Sequence, residues 1–122
     1  MLRGDLEMKV FPYTDVEAQE ADSGAEKVKV RWLITKEMGA PNFAMRLFEV
    51  GKGGCSPFHN HEWEHEVFIL EGEGSLMSEK GPVKFKQGDV VFVLPNEKHQ
   101  FRNEGKGMLR FLCLVPIEKK HK

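Results

Sequence analysis

Short runs in which apolar and polar residues alternate recur along most of the chain. A period of two is the mark of strands with one face buried. Val28–Thr35 (VKVRWLIT) reads this way, and Phe43–Val50 (FAMRLFEV) is a strong strand candidate. Further β-type runs are Glu66–Glu71, Gly74–Ser78, Val83–Phe85, Asp89–Leu94, His99–Arg102 and Leu109–Val115, with a short strand predicted at Met8–Tyr13. Turn residues separate them: Gly72 and Gly74, Gly81-Pro82, Gly88, Pro95-Asn96, Gly105 and Gly107. Lys36–Asn42, with Gly39 and Pro41, reads as a loop, and Gly51-Lys52-Gly53-Gly54 as the turn that closes the Phe43 strand. No stretch of about ten residues or more carries helical periodicity. Many short strands punctuated by Gly and Pro predict an all-β sandwich or barrel.

Composition narrows the class of protein. The 122 residues suit one domain with a single core, at 40% hydrophobic and 30% charged. The net charge of −1 is spread over interleaved signs, so no basic patch points to nucleic acid or an anionic membrane. No apolar run approaches the ~20 residues a membrane helix needs. The opening MLRGDLEMKVFPY lacks the apolar stretch of a signal peptide, and a cytoplasmic protein is expected. Cys55 and Cys113 are too few for a disulfide framework and are expected to be reduced thiols.

The histidines supply the chemistry. Of five, four fall in two patches: His59, His61 and His65 in HNHEWEH, and His99. Imidazole is the commonest transition-metal ligand among side chains. Residues 59, 61 and 65 share a face if the strand runs on, and a neighbouring strand carrying His99 completes a four-nitrogen cage. Glu66, Glu62 and Glu64 are alternative ligands, but their even numbers put them on the opposite face unless a bulge inverts it. His121, in the charged tail, is expected to be solvated.

Two spaced patterns carry a family resemblance. Gly53, five residues, His59-Asn60-His61, three residues, His65, six residues and Gly72 match G-x5-H-x-H-x3,4-E-x6-G, with His65 at the usual Glu position. Gly88, five residues, Leu94, Pro95, Asn96, two residues, His99, three residues and Asn103 keep the spacing of G-x5-P-x-G-x2-H-x3-N. Leu94 replaces the Pro, and Asn96 replaces the Gly, for which Asn is the next-best left-handed residue. The chain thus resembles a small single-domain cupin, a double-stranded β-helix or jelly-roll barrel. The stretches APNFAMRLFEV, PNEKHQFRN and FLCLVP are similar to a four-histidine, manganese-binding subgroup.

The resemblance implies a barrel core at residues 43–116, added strands at 1–42 and a charged tail at 117–122. It implies His59, His61, His65 and His99 as ligands to one divalent metal. Manganese is favoured, and iron, nickel, copper, cobalt and zinc are compatible. It also places Phe101, Phe111 and Cys113 near the metal, where core and pocket wall coincide. Arg46, the one charge in Ala44–Phe48, either pairs with a carboxylate at an edge or enters the cavity as an anion anchor. Four neutral imidazoles leave the full +2 on the ion, which favours an anionic ligand. Metal affinity is expected to weaken as pH falls through about 6.5, where free histidine titrates.

The function expected is a metal-dependent oxygenase or related oxidoreductase acting on a small, partly apolar anion. A non-catalytic metal- or ligand-binding module and an isomerase are the alternatives, since fold alone does not decide. Open edge strands and the extra N-terminal strands suggest a homodimer paired across a two-fold axis, as in many cupins.

Overall fold

In the computed structural model, which describes residues 8–117, nine strands form one strongly curled sheet with no α-helix among the described residues. They are β1 (Gln19–Glu20), β2 (Glu26–Ile34), β3 (Phe43–Cys55), β4 (His65–Glu71), β5 (Glu73–Ser78), β6 (Gly81–Lys86), β7 (Val90–Val93), β8 (His99–Asn103) and β9 (Leu109–Pro116). The main order is β6-β5-β8-β3-β9-β4-β7, with β2 also along β3 and β1 along β2. This is the all-β jelly-roll barrel that the alternation and the resemblance imply. The pairings are antiparallel throughout. β9, the last strand, lies between β3 and β4.

The alternation decides which side chains face in. Val67, Ile69, Val91, Val93, Phe101, Phe111, Cys113 and Val115 are buried inside the curl. On the outside of β3, Glu49 is buried between two guanidinium groups, with Arg31 Nε at 3.2 Å and Arg110 Nε at 2.9 Å. Burial pushes the Glu49 carboxyl up, but hydrogen bonds from Arg110 and Arg31 outweigh it and hold the group below its ordinary value. The Tyr13 ring lies against Arg31, 5.3 Å from its guanidinium carbon, and Arg31 also donates to the Val16 carbonyl.

Two local expectations are corrected. Met8–Pro12 forms no strand, and Tyr13–Asp15 is a single 3-10 turn, because no strand among the described residues pairs with that segment. The expected turn at Gly51–Gly54 is instead a bulge inside the 13-residue β3. Between paired residues, β3 advances five positions, Val50 to Cys55, while β2 moves only two, Val28 to Glu26. Glycine is required there: a Cβ at Gly54 would run into the Glu26 carbonyl oxygen, and Gly53 has φ of 78°. Beyond the bulge, Cys55 pairs with Arg102 of β8, so β3 turns the chain toward the histidine segment. Within the expected Lys36–Asn42 loop, Lys36–Met38 is one 3-10 turn. His121 lies outside the described residues.

Asn103, the last residue of the second pattern, is a buried clasp. Its Nδ2 donates to the Val50 and Gly107 carbonyls at 2.9 and 2.8 Å, and its Oδ1 accepts from Gly105 N at 2.9 Å. Asn103→Ala strands these buried backbone groups and is expected to cost about 2–3 kcal/mol of stability. Urea unfolding measures it, and a loss well under 1 kcal/mol rejects the clasp.

Candidate metal centre

The chain between β3 and β4, Ser56 to Glu64, is a loop stitched along β8. Ser56 N donates to the Phe101 carbonyl, Phe101 N donates to Ser56 Oγ, and Gln100 Nε2 donates to the Ser56 carbonyl, each at 2.9 Å. His59 and His99 exchange both backbone hydrogen bonds, at 3.1 and 2.9 Å, as an isolated bridge. Farther on, Asn96 N donates to the His61 carbonyl. Asn96 sits at φ of 67°, the left-handed conformation its place in the turn pattern called for. A continuous strand from His59 to His65 is therefore not what presents the histidines. His59 and His61 come from the pinned loop, and His65 and His99 are the first residues of β4 and β8.

The four rings nevertheless meet. Ring centroids lie 4.4 Å apart for His59–His61, 5.0 Å for His59–His99 and for His65–His99, 5.2 Å for His61–His65, and 6.3 Å for His61–His99. His65 is buried beside Val67 and Ile69, whereas Glu66 and Glu62 are exposed. As they stand, no three His, Cys, Asp or Glu side chains among the described residues meet the geometry that holds an ion. The donor chemistry nonetheless suits a transition metal, since four imidazoles line one cavity. His99 Nδ1 lies 2.9 Å from the Glu97 carbonyl, which fixes its proton there and frees Nε2. His65 Nδ1 is buried without a hydrogen-bond partner.

His59, His61 and His65 resist protonation. Burial, then His61 and His99, lowers the pKa of His59 to about 4, against a partial opposing pull from Asp22. Burial, then His99 and Arg46, lowers that of His65 to about 3. His61 is lowered as well, by burial first and then by His99 and Arg46. For His59, His61 and His65, proton competition with a metal therefore begins below the pH of about 6.5 expected of free histidine.

The cluster opens into a cavity of about 1110 Å³ whose wall includes Arg46, Phe101, Phe111 and Cys113. Phe101 stacks on Phe111 at 4.6 Å, and Phe111 on Phe48 at 5.3 Å. Arg46 takes the cavity position rather than an edge ion pair. It has no ion-pair partner among the described residues, its Nη2 donates to Cys113 Sγ at 3.2 Å, and its buried Nε has no partner. Trp32 and Phe48 hold the guanidinium carbon 5.2 and 4.8 Å from their ring centres. Burial pushes the Cys113 thiol up, more than Arg46 lowers it, so it stays protonated at neutral pH.

Trp32 and Phe48 were not singled out from the sequence. Their signal was the alternation that puts Trp32 on the face of Val30, and Phe48 on that of Arg46. Trp63 stacks flat on His61, with centroids 4.8 Å apart and planes at 6°.

Comparison with known proteins agrees with this architecture. The family model described as cupin domain matches residues 46–115. The chain is 34% identical over 96 residues to an oxalate-binding protein of Thermotoga maritima, covering 75% of this chain and 78% of that protein. It is 37% identical over 75 residues to the 1-methylthio-D-xylulose 5-phosphate methylsulfurylase of Rhodospirillum rubrum, which is 62% of this chain but only 48% of that enzyme. Among solved structures, the polyketide cyclase RemF from Streptomyces resistomycificus superposes with a TM-score of 0.86 at 35% identity, covering 94% of this chain and 83% of that one.

Depressed histidine pKa values set the acid side of the stability profile. Between about 4 and 6.5 the unfolded chain binds more protons than the folded one, so stability rises with pH there and is lost on acidification. Melting of metal-free protein from pH 7 to 4 is expected to show this, with a shallower slope in His65→Asn. An equal slope in the variant removes His65 as a cause.

Proposed function

Because the chain belongs to the cupin family, we propose that its four clustered histidines bind one divalent transition metal and that the protein oxidises a small, partly apolar organic anion with dioxygen. The observation that carries this reading is one cavity holding four clustered imidazoles, an arginine with no ion-pair partner among the described residues and a wall of aromatic rings. Manganese is the favoured ion, and iron, nickel, copper, cobalt and zinc also suit imidazole. When bound, such an ion would supply Lewis-acid chemistry and, unless it were zinc, redox chemistry.

The chain's own residues do the rest. Arg46 orients the anion: Cys113 engages only one of its nitrogens and no carboxylate among the described residues neutralises it, which leaves the guanidinium to attract a carboxylate or enolate oxygen. Stacking on Trp32 and Phe48 holds the guanidinium in place without neutralising it. Phe101 and Phe111 enclose the apolar part and exclude water. Cys113 lines the cavity and Cys55 does not, so Cys113 is the thiol that would meet dioxygen activated there without substrate. The free thiols fit a reducing, cytoplasmic setting, and a homodimer belongs to the same proposal.

A second reading has one specific support. The oxalate-binding relative favours a module that holds a small carboxylate without transforming it. Arg46 and the metal would serve that role equally, so turnover is the discriminating measurement.

Alanine at each of His59, His61, His65 and His99 is expected to abolish metal retention through dialysis, while Glu66→Ala keeps it. Retention in His65→Ala with loss in Glu66→Ala reverses the assignment of the third ligand. Arg46→Met is expected to keep the metal yet weaken binding of a small carboxylate by about tenfold or more. Aerobic incubation with manganese or iron is expected to add oxygen at Cys113 and not at Cys55, read by mass spectrometry. No oxidation and no turnover over phenolic, enolic and alkenyl substrates leaves the binding module as the function.

A further inference from the structure

Trp63 is a large apolar side chain left 38% exposed, outside the buried core cluster. The backbone bends at Glu62 and Trp63, and the indole lies over the ring two residues before it. Its centroid is 4.8 Å from that of His61, with the two planes 6° apart. The other rings meet His61 differently: His59, His65 and His99 are inclined to it by 63°, 47° and 62°. Trp63, Val115 and Pro116 line both the cavity and a shallow groove outside it, so the indole is also part of the wall between them.

His61 is the histidine whose ring has least else to hold it. His65 and His99 are buried, each as the first residue of a strand, and His99 Nδ1 sits against the Glu97 carbonyl. His59 is tied to His99 through both backbone hydrogen bonds. At His61 the bond from Asn96 fixes only the carbonyl, and no hydrogen bond reaches the ring among the described residues. A stacked indole supplies the missing constraint in a suitable form. Imidazole binds an ion through a nitrogen lone pair in the ring plane, so a partner on the face sets that plane and leaves the nitrogens free. The contact also strengthens when an ion is held, because the ion makes the imidazole more positive and the indole face is electron-rich.

We propose that Trp63 is the positioning residue of His61, clamping its ring in the plane that directs a nitrogen into the histidine cluster. The inference rests on the metal-binding reading above. A side chain that only filled space would be replaceable by any apolar group of similar bulk. A clamp needs a flat π face, which Phe keeps and Leu lacks. One aromatic pair corresponds to a change of about two- to tenfold in an equilibrium constant.

Two measurements on the full chain test this, with circular dichroism confirming that each variant folds. In metal-free protein, NMR is expected to show the His61 ring protons displaced upfield by the indole ring current, and Trp63→Leu to remove the displacement. Chelator competition for manganese(II) and cobalt(II) then measures affinity. Trp63→Leu is expected to weaken both ions by about two- to tenfold and to shift the cobalt(II) absorption bands. Trp63→Gln, a soluble second replacement, is expected to do the same. Trp63→Phe is expected to restore most of the affinity and the wild-type bands. Phe58→Leu, in the same loop but not lining the cavity, is expected to change neither. A wild type that binds neither ion overturns the metal-binding reading and the clamp with it. A metal-binding wild type matched in affinity and bands by Trp63→Leu overturns the clamp alone. Trp63→Phe as weak as Trp63→Leu also overturns it, since shape rather than stacking then holds the ring.

Discussion

The reciprocal backbone hydrogen bonds between His59 and His99 are the constraint on which the rest of the cavity depends. A loop residue and a strand residue that exchange both bonds must project their side chains to the same side, at the spacing of a cross-strand pair. That fixes two of the rings 5.0 Å apart, and the bond from Asn96 to the His61 carbonyl then holds a third in place. His65 follows because the chain must enter β4 inward to bury Val67 and Ile69. The cluster is thus a by-product of backbone pairing, independent of any attraction among its rings. In fact those rings repel protons from one another.

Charge is segregated across the thickness of the sheet. Glu49 and its two arginines stand on the outer side, where a carboxylate and guanidinium groups can satisfy one another. On the inner side, Arg46 has aromatic faces and a thiol for company and no carboxylate. Buried charge without a counter-ion is costly. The anion proposed for the cavity and Arg46 would each relieve the other's desolvation.

Much of this was legible in the sequence, for reasons that can be separated. Alternation located the strands because each has one wet and one dry face, and parity separated His65 from Glu66 although the segment before His65 is not a strand. Parity survived because His65 itself begins β4. The Gly51–Gly54 segment read as a break because glycine clusters signal turns, and only the partner strand shows that pairing resumes at Cys55. Met8–Tyr13 alternates like a strand, but no strand among the described residues lies beside it. Whether Arg46 found a carboxylate or the cavity depended on register, since Trp32 faces Arg46 only through the β2–β3 pairing. Long-range register is the information that local pattern lacks.

The central position of β9 has a consequence for how the molecule comes into being. Phe43 pairs with Pro116 and Glu66 with Leu114, so the middle of the sheet is filled by the last strand among the described residues. Until that strand arrives, β3 and β4 each present an open edge, and the wall residues Phe111 and Cys113 are missing. Such non-local closure is slow, and the waiting edges are adhesive. On a ribosome, the histidines of the loop emerge well before the pocket that is to enclose them. The pocket wall is therefore complete only late, and any ion that the histidines took would be enclosed only once β9 is in place.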